Sequence, residues 1–188
     1  MNAAALLLVV KFLVGGLTGL TVHESGHVAT GAIFGAHPGT KPINYAGIPF
    51  FAVTHTPVSR KTEFVISSAG LWMQHAGSEW ILTKRPNIRR ESAPFLKGIL
   101  VFNTATSVVY ATAAFGKLGP PERDTLGMAT SLGQRGWREP MVGVFILAPA
   151  ALDVYRYFRP DQEWAAWASR GTKAVFMALV LFAGRPIS

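Results

Sequence analysis

Thr21-Val22-His23-Glu24-Ser25-Gly26-His27 stands inside an apolar run covering residues 3–34. That run decides the fold class, because about 20 consecutive apolar residues suffice to cross a bilayer. It is over-long for one upright span, which implies tilt or cover by other helices. Gly15 and Gly19, then Gly31 and Gly35, recur at the small-xxx-small spacing that lets neighbouring helices approach closely. Lys11 interrupts the apolar N-terminus and no basic segment precedes it, so the run reads as a retained membrane helix, not a signal peptide.

Further apolar stretches follow at residues 62–82, 94–115, 141–158 and 164–182, the first of them trailed by the basic turn Lys84-Arg85-Pro86-Asn87-Ile88-Arg89-Arg90. Between the first two runs, Ile48-Pro49-Phe50-Phe51-Ala52-Val53-Thr54 is apolar, β-prone and too short to span, so it reads as a short strand or re-entrant element. Residues 117–139 are polar and Gly-rich and show no strong period. The expectation is an all-α polytopic membrane protein of about five transmembrane helices, with 1–188 forming a single membrane-embedded domain.

Composition agrees. The 188 residues are 49% hydrophobic and only 15% charged, against about 25% charged in a soluble domain. The net charge of +8 comes from Lys and Arg that flank the apolar runs, so the expected partner is a bilayer with anionic headgroups and not nucleic acid. Trp72, Trp80, Trp164 and Trp167 suit interfacial anchors. With no cysteine, disulfides and thiolate metal sites are excluded, and any metal must be held by His, Asp or Glu.

His23 and His27 are such residues. Four apart on a helix, they share one face and can bind one ion. Glu24 follows the first ligand and can reach a water at the metal without binding the metal itself. Nitrogen ligands of this kind suit Zn2+ with an open position for water. The pattern His-Glu-x-x-His arises by chance in roughly one sequence in two hundred of this composition. Ionisable groups inside a membrane helix are costly enough to point to function. For a third ligand the residues leave alternatives. Asp153 lies on the fourth apolar segment beyond Pro149, with Arg156 three residues on as a plain ion-pair partner. His75 and Glu79 form an i, i+4 pair on the second segment and offer a ligand or a substrate-binding pair. His55 reads as a surface or gate residue, and Asn103 as a polar group that must find a partner at membrane depth.

His-Glu-Ser-Gly-His in the first membrane helix, followed by Ala29, Phe34 and Gly35, resembles the site-2 protease family of intramembrane zinc metalloproteases. Leu152-Asp153 behind Pro149 is similar to that family's Leu-Asp-Gly element, which carries its third zinc ligand. Ser67-Ser68-Ala69-Gly70 resembles its Ser-Ala-Gly-Pro segment. Residues 43–56 lie where the family places a β-hairpin or re-entrant element beside the active site. Val154 and Leu71 depart from the family's Gly and Pro at the corresponding positions.

The resemblance implies zinc held by His23, His27 and Asp153, Glu24 as general base, and hydrolysis of a peptide bond in or near a substrate transmembrane segment. Asn103 and His75 are candidate oxyanion or substrate groups. The short chain and absent cysteines suit a bacterial cytoplasmic membrane. The competing readings are another membrane zinc hydrolase with Glu79 as third ligand, and a non-catalytic pseudo-protease or metal-binding membrane protein.

Overall fold

A computed structural model describes residues 2–45, 47–133 and 136–182. Six α-helices and one hairpin occupy the described residues: α1 Ala3–Ile33, β1 Gly39–Tyr45, β2 Ile48–Thr54, α2 Arg60–Lys84, α3 Pro94–Gly116, α4 Asp124–Ser131, α5 Arg138–Phe158 and α6 Glu163–Phe182. A 3-10 turn, Ile88–Arg90, joins α2 to α3. The two strands pair antiparallel, with Gly39 opposite Thr54 and Tyr45 opposite Ile48. The short β element foreseen between the first two helices is therefore present as a hairpin.

Local chemistry sets the helix ends. The Asn2 side chain accepts from the Ala5 amide, and Ser59 does the same for Thr62 at the start of α2. Pro94 opens α3 in the first turn, where its missing N–H costs nothing. Pro149 lies inside α5, which continues past it to Phe158.

Glycines set how closely the helices pack. A Cβ on Gly15 would lie 2.0 Å from the Phe95 carbonyl oxygen, and one on Gly98 would lie 2.0 Å from that of Phe12. From Gly15 at Phe95, through Gly19 at the Phe102 ring, to His23 stacked on Tyr110, residue numbers on α1 and α3 rise together, so the two helices run parallel. On another face of α1, a Cβ on Gly26 would lie 3.0 Å from the Ala69 carbonyl oxygen, while His27 meets Ile66. Here the numbers run oppositely, so α1 and α2 are antiparallel. The main apolar cluster, with Phe64, Leu71, Met128, Ile146 and Phe176, joins α2, α4, α5 and α6.

Helices α1, α3 and α5 are long and apolar enough to cross a membrane. Helices α2 and α6, 25 and 20 residues long, are not among them. The reason lies in their polar residues: Ser68, Gln74, His75 and Ser78 of α2 and Ser169 of α6 are buried, and Arg170 and Lys173 of α6 pair with Glu79 of α2. Outside, Leu13, Leu17, Val101 and Val109 are more than half exposed. This polar-inside, apolar-outside distribution is the reverse of what water favours. In residues 117–139, where the sequence shows no period, the structure has the short helix α4.

Candidate metal centre

His23 and His27 sit one turn apart on the face of α1 that α2 and α3 cover, and both are buried. Their Nε2 atoms are 3.2 Å apart. Asp124, in the first turn of α4, brings its Oδ2 to 3.3 Å from the His23 Nε2 and 3.2 Å from the His27 Nε2. Among the described residues, these three are the group of His, Asp and Glu side chains whose ligand atoms converge within 4.8 Å.

The triangle suits zinc. Tetrahedral coordination with bonds of about 2.0–2.1 Å separates ligand atoms by about 3.3 Å, and the three edges are 3.2, 3.2 and 3.3 Å. The Asp124 Oδ2 is buried and has no hydrogen-bond partner, as expected for an atom committed to an ion. The His27 Nδ1 is 2.8 Å from the Ile66 carbonyl oxygen. Donating its proton there leaves the Nε2 lone pair directed at the site, the usual outer support of a metal-binding imidazole. Gly70 keeps the space open, since a Cβ there would lie 2.5 Å from the His27 Nε2 and 2.6 Å from the His23 Nε2. Tyr110 of α3 stacks on the His23 ring, with centroids 5.8 Å apart.

Asp124 is held by its neighbours in the chain. Arg123 makes a two-pronged ion pair to Glu139, with Nε 2.7 Å from Oε1 and Nη2 3.1 Å from Oε2. The Thr125 hydroxyl donates to the same Oε1 at 3.1 Å. Glu139, buried at the start of α5, thereby grips the residues on both sides of Asp124. Gly127 lets α4 lie on α2, because a Cβ there would meet the Ser67 Oγ at 2.2 Å. Lys41 of β1 reaches the Glu122 Oε1 at 2.9 Å, and this hydrogen bond holds the Glu122 carboxyl below its ordinary range.

Glu24, next to His23 in the chain, is half-buried and lies outside the ligand triangle. A cleft of about 210 Å³ opens onto His27 and Asp124, walled by Val53 and Thr54 of β2, by His55 and Glu63, and by Glu122. The His55 Nδ1 donates to the Thr56 carbonyl at 2.9 Å, and its Nε2 lies 3.4 Å from the Glu63 Oε2. His55, which the sequence offers as a surface or gate residue, lines this cleft.

The other sequence candidates lie elsewhere in the structure, apart from the His23–His27 pair. The Asp153 Oδ1 is engaged by Ser169 at 2.7 Å, Lys173 at 2.8 Å and Arg156 at 3.3 Å. Glu79 pairs with Arg156, and with Arg170 and Lys173 at 2.9 Å each. Both carboxylates are spent on cations that tie α2, α5 and α6 together, and neither is in the His23–His27 group. Asn103 donates to the Gln74 carbonyl at 3.0 Å and the Ser78 hydroxyl at 2.9 Å, joining α3 to α2. His75 packs edge-on against Phe176 at 5.8 Å.

Asp124 escaped the sequence reading because no apolar period marks its segment. Two signals point to it. A structureless connection of more than about 15 residues is uncommon in a compact domain, and Pro120-Pro121 followed shortly by an acid is a helix-start pattern. No protein-family model, curated protein or solved structure matches the chain.

Proposed function

We propose that this chain is an intramembrane zinc metalloprotease in which His23, His27 and Asp124 hold the ion and Glu24 is the general base. The observation that carries the reading is the convergence of two imidazole Nε2 atoms and one carboxylate oxygen at edges of 3.2–3.3 Å, with Glu24 next to His23 in the chain. The set keeps the two-histidine, one-carboxylate composition implied by the resemblance to the site-2 protease family, with Asp124 in the role expected of Asp153.

Zinc, when bound, supplies Lewis acidity that acidifies water and polarises a carbonyl. Glu24 takes the proton of the attacking water and returns it to the leaving amide nitrogen. The His27 bond to Ile66 holds the ring's orientation while this happens. His27 lies about 9 Å along α1 from the Ile33 end at 1.5 Å per residue, so peptide bonds inside the apolar layer are within reach. A substrate helix hides its carbonyls in intrahelical hydrogen bonds and must unwind first. Strand β2 ends at the cleft wall, and an unwound segment can add to it by backbone pairing. In this reading α2 and α6 complete five spans of an integral protein of a bacterial cytoplasmic membrane, with their polar faces turned to the bundle.

The test is metal content followed by cleavage. Purified protein binds about one zinc per chain, and Glu24→Gln keeps the zinc while abolishing cleavage of reconstituted single-span peptides. Wild type that takes up no zinc after zinc is added overturns the proposal. Zinc binding with no cleavage of any peptide by wild type leaves a non-catalytic metal-binding membrane protein.

A further inference from the structure

The arginines at the end of the bundle where α2 and α5 finish line one cleft. Arg89, Arg90 and Arg159, with Asn87 and Asp161, enclose about 510 Å³, and Phe158 forms an apolar wall. Three arginines and one aspartate line it, so the cleft is net positive. The turn that carries two of them is fixed: the Lys97 Nζ donates to the Arg89 and Glu91 carbonyls at 3.0 and 2.8 Å, and Ile88 is fully buried beneath. The Arg89 guanidinium lies over the Phe158 ring, 5.8 Å from its centroid.

A mostly apolar groove of about 300 Å³ shares Phe158 as a lining residue. Leu100, Val101, Val154 and Tyr157 line it between α3 and α5, and its two charged lining residues, Lys97 and Asp153, are engaged by protein partners. Phe158 lines both clefts, so the apolar one adjoins the basic one at that side chain.

The level of the cleft along the bundle is marked independently. Trp80 near the end of α2, and Trp164 and Trp167 at the start of α6, are 60%, 55% and 70% exposed. Lys11 lies one turn before Gly15, which abuts Phe95 at the start of α3. Exposed tryptophans and lysines at one level mark a headgroup plane. The groove runs from that plane into the apolar layer.

We propose that this composite is a site for one anionic phospholipid, its phosphate among Arg89, Arg90 and Arg159 and one acyl chain along the α3–α5 groove. A zwitterionic lipid offers the same chain without the net charge, and a free phosphate offers the charge without the chain. Only a lipid of net negative charge uses both halves. The site rests on the membrane reading and is independent of proteolysis.

Native mass spectrometry of the purified chain in non-ionic detergent tests it, with phosphatidylglycerol, phosphatidylcholine of the same acyl chains, and glycerol 3-phosphate as probes. The expected result is one tightly bound phosphatidylglycerol per chain, at least about tenfold tighter than phosphatidylcholine, and not displaced by glycerol 3-phosphate. Replacing Arg89, Arg90 and Arg159 with Gln lowers its affinity by about a hundredfold. Val101→Trp, which leaves every charge in place and fills the groove, weakens it as well. Equal affinity of the wild type for the two lipids overturns the proposal without recourse to any variant. So does displacement by glycerol 3-phosphate, which would identify a phosphate site rather than a lipid site, or an undiminished preference in a triple variant of unchanged helicity.

Discussion

Gly70 of α2 faces His27 so closely that a Cβ on it would lie 2.5 Å from the Nε2. Two rules oppose each other at this position. Inside a helix, Gly costs about 1 kcal/mol relative to Ala, so propensity favours a side chain. The space between the two histidines and α2 requires that there be none, because the α2 backbone is one of its walls.

Gly70→Ala is therefore expected to leave the helices formed and to lower zinc content from about one per chain to a small fraction of that. Elemental analysis beside a circular dichroism spectrum checks it. Full zinc occupancy in this variant would mean that the ion does not lie on the Gly70 side of the histidine pair.

Asp124 and Asp153 separate by what each loses. Asp124→Asn removes a ligand oxygen and is expected to weaken zinc binding by more than about a hundredfold. Asp153→Asn leaves the ligand triangle intact and leaves Lys173 and Arg156 short of one buried counter-charge, which costs about 3 kcal/mol of stability. A zinc titration and a thermal melt of both variants give opposite patterns. Zinc lost in Asp153→Asn and kept in Asp124→Asn would restore the ligand set implied by the family resemblance.

Much of this organisation is legible in the chain because it is local. The apolar run at residues 3–34 is α1 to within a residue, and the stretch at 94–115 is α3 to within one. The i, i+4 spacing of His23 and His27 fixes their shared face whatever surrounds the helix. What is not local is less legible. The third carboxylate reaches the pair through the packing of α4 on α2, set by Gly127 and Ser67, and no period in residues 117–139 reports that packing. Leu152-Asp153 has the order and composition of a family ligand, yet Arg156, visible three residues on, is the partner the structure gives it, together with Lys173 of α6. Residues 62–82 and 164–182 look like further spans, but their polar residues serve the interior, so those two helices lack the apolarity of α1, α3 and α5.

Glu139 is expected to matter for zinc without touching it. Its carboxylate holds Arg123 and Thr125, the neighbours of Asp124, so Glu139→Gln loosens the α4 start. Outer supports of this kind change metal affinity by about 10–100-fold. A tenfold loss in a competitive zinc titration is the predicted outcome. Unchanged affinity would show that the packing of α4 on α2 holds Asp124 unaided.

Asn103 tests whether a buried polar group at this depth serves chemistry or packing. Its amide donates to the Gln74 carbonyl and the Ser78 hydroxyl, bonds that join α3 to α2. Interhelical hydrogen bonds in membrane proteins contribute about 0.6–2 kcal/mol. Asn103→Leu is thus predicted to lower thermal stability by roughly 1 kcal/mol and to leave zinc content and the cleavage rate unchanged. Removing an oxyanion donor would instead lower the rate by about 10²–10³ with little effect on stability. Cleavage kinetics and a melting curve on one preparation separate the two, and a rate loss at unchanged stability would move Asn103 from the helix interface into the active site.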